Sequence, residues 1–146
     1  MGMNKIKPHL QKRFIQSVLE SKAKNISDLN NECFVISFRH LDRNQGDSFN
    51  TWQKEGKLAT ALDVLYGYCQ RPLDKQFSDN FKLYGNYPPN DKAGYRFPPY
   101  VPEDAKWARI HINGTQILAG HIVRNVFYIV FLDPNHSFYK TDIQDR

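Results

Sequence analysis

The stretch Trp107-Ala108-Arg109-Ile110-His111-Ile112-Asn113-Gly114-Thr115-Gln116-Ile117-Leu118-Ala119-Gly120-His121-Ile122-Val123-Arg124-Asn125-Val126-Phe127-Tyr128-Ile129-Val130-Phe131-Leu132 decides the fold. Three runs rich in β-branched and aromatic residues are separated by two short polar breaks. Asn113-Gly114 is a type I′ hairpin signal, and Arg124-Asn125 makes a second tight turn, so the runs predict a three-stranded antiparallel meander. Two-residue turns fix a register that places Ile112 opposite Thr115, Ile110 opposite Ile117, Val123 opposite Val126 and His121 opposite Tyr128. One face then carries Ala108, Ile110, Ile112, Ile117, Ala119, Val123, Val126, Val130 and Leu132. The other carries Arg109, His111 and Gln116 and, farther over, Leu118, Ile122, Phe127, Ile129 and Phe131. His111 and His121 fall on opposite faces.

Outward from the meander, Phe34, Ile36 and Phe38 alternate along Cys33–Arg39 and predict an earlier strand. A turn at Asp42–Asp47 follows, and Ser48 is suited to cap the next helix. Leu58, Leu62, Leu65, Tyr66 and Cys69 have helical spacing, with Phe49 and Trp52 one to two turns earlier. The helical stretch thus runs from about Phe49 to Gln70, with Gly56 a natural break and Pro72 a stop. Phe81–Gly85 predicts a short strand. The loop at 86–104 is rich in Pro and aromatic residues, which fit it to pack on the domain as a cover. These elements predict an α+β fold: an antiparallel β-sheet whose C-terminal three-stranded meander packs on a helix or helical hairpin, plus an N-terminal helix.

That N-terminal helix is read from Leu10, Phe14, Ile15, Val18 and Leu19, spaced as one apolar stripe between Pro8 and Lys24, with Asn25–Asn31 as a turn. The apolar half of the second sheet face is its expected docking surface. Residues 1–31 are thus a basic helical arm on a single domain whose core spans 33–146. Residues 1–30 hold six Lys and Arg against two acidic residues, so most of the net charge of +5 sits in the arm. Such a charge suits nucleic acid or an acidic protein partner, and also suits a plain solvated helix face.

At 146 residues, 40% hydrophobic and 14% aromatic, the chain has the size and composition of one folded domain. No run approaches the 18 apolar residues of a membrane span, and no apolar signal core follows the basic start. Cys33 and Cys69 fit neither a disulfide framework nor a zinc site. A cytoplasmic protein without membrane, metal or cofactor is expected.

No phosphate-cradling glycine loop, nucleophile elbow or paired-Cys pattern is present. The remaining candidates are Arg109 and His111 on the sheet and His136, Tyr139 and Lys140 at the chain's end, with Lys82, Tyr84 and Lys106 within reach. These residue types suffice for metal-free RNA cleavage, in which a base deprotonates the 2′-hydroxyl. Cations stabilise the phosphorane-like transition state, and an acid protonates the leaving 5′-oxygen. The same residues also make an ordinary polar sheet surface, and His121 beside Tyr128 reads as a hydrogen-bonded core histidine.

The order strand, helical hairpin, meander and short polar tail resembles the RelE/ParE toxin superfamily. The resemblance rests on Trp107–Ile112 and on Val126–Tyr139, where an apolar strand runs into His136 and an aromatic soon after. It implies a cytoplasmic mRNA-cleaving toxin, active on RNA or at the ribosome and neutralised by a small antitoxin protein. Arg109 would hold the scissile phosphate, His136 or Tyr139 would transfer the proton, and His111 is a second candidate for that role. Lys82, Lys106, Arg124 and Lys140 would bind RNA. A topoisomerase inhibitor, as in ParE-like members, and a non-catalytic protein- or nucleic-acid-binding module are the alternatives.

Overall fold

A computed structural model describes residues 7–30 and 33–141, which belong to two compact units, Met1–Asn31 and Glu32–Arg146. The described residues of the first form one helix, α1 (Pro8–Asn30). Pro8 opens it, where a missing N–H costs nothing, and Gln16 bonds Glu20 one turn on. Residues Asn25–Asn30, read as a turn, continue the helix. Ile26 and Leu29 prolong the apolar spacing in the sequence, which outweighs the weak propensity of the two asparagines. Phe14, Ile15 and Leu19 keep more than half of their surface exposed.

The second unit is an α+β fold with elements β1 (Val35–Ser37), α2 (Phe49–Lys54), α3 (Leu58–Tyr68), β2 (Phe81–Gly85), β3 (Lys106–Asn113), β4 (Gln116–Val123) and β5 (Val126–Asp133). Ser48 caps α2 by accepting the Thr51 N–H, and Gly56 lies in the break between α2 and α3. The five strands form one sheet in the order β1-β5-β4-β3-β2. Strands β2 to β5 are antiparallel, and β1 pairs with β5 in parallel, so the sheet is mixed.

The register of the first hairpin differs from the expectation by one residue. Asn113 pairs with Gln116, so Gly114 and Thr115 are the central turn residues, and His111 pairs with Ile117. Gly114 takes φ +58° at the first of them, which glycine alone adopts freely. Moving the turn alone would leave the faces unchanged, but a bulge between His111 and Asn113 follows it, and that one extra residue sends every side chain of β4, and with it β5, to the other face. Leu118, Ile122, Phe127 and Ile129 therefore join Ala108, Ile110 and Ile112 beneath α2 and α3, in a core with Phe34, Trp52, Leu65 and Phe81. Ile117, Ala119 and Val130 lie on the opposite side with Phe131, Trp107, Phe138 and Val101. Alternation could not fix this register because β4 is buried from Gln116 through His121, leaving no polar face to read.

The apolar side chains expected to await the N-terminal helix thus find their cover inside the second unit. Loop residues Tyr87, Tyr95 and Phe97 supply it around Phe131 and Trp107. Gln116, expected on the open face, is buried toward the helices and donates to the Lys57 carbonyl. His111 and His121 share the loop-covered face, since His111 pairs with Ile117 and Ile117 shares its side of β4 with His121.

A bulge in β5 restores Leu132 to the helix-covered side: Ala119 pairs with Phe131 but Gly120 with Ile129. Gly120 is needed there, because a Cβ would lie 2.0 Å from the Tyr128 carbonyl oxygen. Gly120→Ala should cost about 3 kcal/mol in urea unfolding, the upper range for forced overpacking. Gly67→Ala, with open space around its Cβ position, should be neutral or stabilising by up to about 1 kcal/mol as a helical Gly→Ala change. Equal effects at the two sites would refute the close approach.

Candidate functional site

Alternation along β3 puts Trp107, Arg109 and His111 on the loop-covered face, and Arg109 pairs with Lys82 of the edge strand β2. The Arg109 guanidinium donates from Nη1 to the Asp79 carbonyl at 2.7 Å and also bonds the Tyr84 hydroxyl. Burial raises the Tyr84 phenol above its ordinary value, and the Arg109 contact opposes that rise. Lys82 Nζ lies 5.5 Å from the centre of the Tyr84 ring, within cation–π range. Tyr139 packs against Tyr84 with ring centroids 4.9 Å apart. Lys82, Tyr84, Arg109 and Tyr139 therefore form one cationic, phenol-lined cluster at the sheet's β2 edge.

The tail reaches that edge because of Asp133. Its carboxylate is fully buried, accepts the Asn135 and Phe138 N–H groups at 3.1 and 2.7 Å, and bonds the Tyr95 hydroxyl. Phe138 is thereby set among Tyr84, Tyr87, Trp107 and Phe131. Tyr139, next in sequence, bridges to Ala93 and meets Tyr84. His136 sits in this turn with φ +56°.

His111 donates a ring N–H from Nε2 to the Gly114 carbonyl at 2.8 Å, which leaves Nδ1 as the lone-pair nitrogen of the neutral ring. Among the described residues, no hydrogen bond or ring contact joins His136 to Arg109, so the expected set converges through Arg109 and Tyr139, with His111 on the same strand face. Of the expected RNA-binding residues only Lys82 joins the cluster. Lys106 alternates to the other side of β3, and Arg124 occupies the β4–β5 turn with φ +59°. Both stand near the sheet end opposite the Gly114 turn, since Lys106 pairs with Ile122. Lys140 follows Tyr139, and its backbone N–H bonds the Lys92 carbonyl.

A second polar group on this face was not legible in the sequence. His40 Nδ1 and His121 Nε2 are 2.9 Å apart, and both rings stack on Tyr128, with centroids at 4.7 and 4.9 Å. His121 is buried, and among the described residues its Nδ1 has no partner, nor has the Trp107 Nε1 nearby. Burial, then the neighbouring His40, pushes His121 down to about 4. Burial, then Arg39, lowers His40. His121 is thus the hydrogen-bonded core histidine anticipated, but its partner is His40, which no motif marks.

Among the described residues, no group of three or more His, Cys, Asp and Glu side chains could hold a metal ion, and no helix is long and apolar enough to cross a membrane. No family model, curated protein or solved structure matches the chain.

The His40–His121 pair gives stability a pH dependence. The unfolded imidazole binds a proton near its ordinary 6.5, whereas folded His121 resists until about 4. The unfolded state therefore holds more protons between these values, and stability falls as pH drops through that window. Lowering pH from 7 to 5 should cost about 2 kcal/mol through His121 alone. His121→Phe should flatten that slope in urea titrations at the two pH values. An unchanged slope would remove His121 as its source.

Proposed function

We propose that the protein is a toxin-like endoribonuclease of the RelE type, working in the cytoplasm on mRNA by metal-independent acid–base catalysis. The observation that carries this reading is the Arg109 cluster: a half-buried guanidinium oriented by the Asp79 carbonyl and Tyr84, with Lys82 and Tyr139 beside it. The element order β1, helical pair, β2–β5 and polar tail also agrees with the one on which the resemblance rests. In this reading Arg109 and Lys82 neutralise the scissile phosphate as it gains charge. His111 Nδ1, left as the lone pair by the Gly114 bond, accepts the 2′-hydroxyl proton. The Tyr139 phenol protonates the leaving 5′-oxygen, with His136 as the alternative donor. The 2′-oxygen–phosphorus bond forms as the phosphorus–5′-oxygen bond breaks, giving a 2′,3′-cyclic phosphate and a 5′-hydroxyl. The ribosome is a natural place for such a substrate, and a small antitoxin protein a natural inhibitor.

A second reading is a non-catalytic RNA-binding module. The separation of His136 from the cluster's contacts favours it. The two part on one assay with purified protein and a labelled RNA. Cleavage should yield cyclic-phosphate ends, fall at least about 100-fold in Arg109→Ala, and fall about 10- to 100-fold in Tyr139→Phe. Both variants should keep the wild-type Tm. RNA bound but left intact would establish the binding module. DNA damage with intact mRNA in expressing cells would point instead to topoisomerase inhibition.

A further inference from the structure

A cleft of about 310 Å³ is walled by Tyr68 at the end of α3 and by Arg71, Lys75, Gln76 and Ser78. Its base is rigid. Gln76 is buried, and its Nε2 donates to the carbonyls of Tyr68, Arg71 and Pro72, which caps the end of α3. The remaining Gln76 oxygen accepts from Arg71 Nη2 at 3.4 Å and turns that guanidinium toward the cleft. The Arg71 carbonyl accepts the Phe34 N–H, and Pro72 pairs with Cys33, so the backbone carrying this arginine is tied to the start of β1.

The cleft's cations have no direct ion-pair partner: among the described residues no carboxylate lies within salt-bridge distance of Arg71 or Lys75. The cleft also adjoins the Arg109 cluster. Ser78 forms its wall, and the next residue, Asp79, supplies the carbonyl that anchors Arg109. The Tyr68 hydroxyl lies in the fields of both Arg109 and Arg71. Two cations in a polar concavity, one of them tethered to Gln76, next to the Arg109 guanidinium, suit a polyanion with regularly spaced charges.

We propose that the Arg71–Lys75–Ser78 cleft binds a backbone phosphate of single-stranded RNA flanking the nucleotide held at Arg109. This inference rests on reading the Arg109 cluster as an RNA site. It also predicts that short and long substrates are distinguished, because only a chain of several nucleotides engages both positions.

The test uses the full chain, a non-cleavable 2′-O-methyl RNA octamer and the matching dinucleotide. Binding is followed by fluorescence anisotropy across a salt series. Removing the one phosphate contact in Arg71→Ala/Lys75→Ala should lower the log–log salt slope for the octamer by about 0.7 and weaken its binding about 5-fold at 0.1 M salt. Dinucleotide affinity and Tm should stay at wild-type values. Wild-type octamer affinity and slope in the double variant would overturn the cleft as a phosphate site, as would an equal loss for the dinucleotide. Octamer binding lost in Arg109→Ala but kept in the double variant would leave the Arg109 reading standing alone. The reverse pattern would leave only the cleft standing, and a wild-type chain that binds neither RNA would sink both.

Discussion

The buried carboxylate of Asp133 is the constraint on which the candidate site depends. A carboxylate leaves water only when its oxygens are well supplied with donors. Here two backbone N–H groups of the tail and the Tyr95 hydroxyl supply them. The same bonds turn the chain after β5 back across the sheet, so that Phe138 fills the second core and Tyr139 arrives at the β2 edge. The Tyr95 bond ties the 86–104 loop to the same point. One carboxylate therefore joins the last strand, the covering loop and the tail, and the phenol beside Arg109 is placed by its geometry.

The two faces of the sheet do different work. Beneath α2 and α3 the packing is apolar, with Trp52 donating to Asp47 at the margin. The loop-covered face mixes aromatic rings with polar groups: the histidine pair toward β1, Trp107 and Phe131 in the middle, and the Arg109 cluster at the β2 edge. Polar side chains held by rings and backbone carbonyls lose little freedom when a ligand binds, which is the condition for a preorganised site. Arg109 and Lys82 stand on neighbouring strands, which position side chains more firmly than loops do.

Much of this was legible in the sequence. The meander, the break at Gly56, the Ser48 cap and the α+β class follow from period, turn chemistry and capping. The register did not follow. An Asn-Gly pair favours one turn, but Gly114-Thr115 forms another, and a strand buried on both sides offers no polar face to choose between them. The bulge between His111 and Asn113 that follows this turn decides that His111 and His121 share a face. Arg109 and Tyr139 were identifiable from residue type, whereas their meeting at Tyr84 depends on a turn whose organiser, Asp133, looked like an ordinary strand-end residue before Pro134. His40 carries no local signal, because its partner lies 81 positions away.

Amide hydrogen exchange at Phe138, compared between wild type and Asp133→Ala, tests the tail's anchoring most directly. If Asp133 holds the tail over the second core, the wild-type Phe138 amide exchanges as slowly as those of β4. In the variant it becomes fast while the amides of β1, α2 and α3 stay protected. A Phe138 amide that already exchanges freely in the wild type, or one unaffected by the substitution, would contradict Asp133 as the organiser of the site.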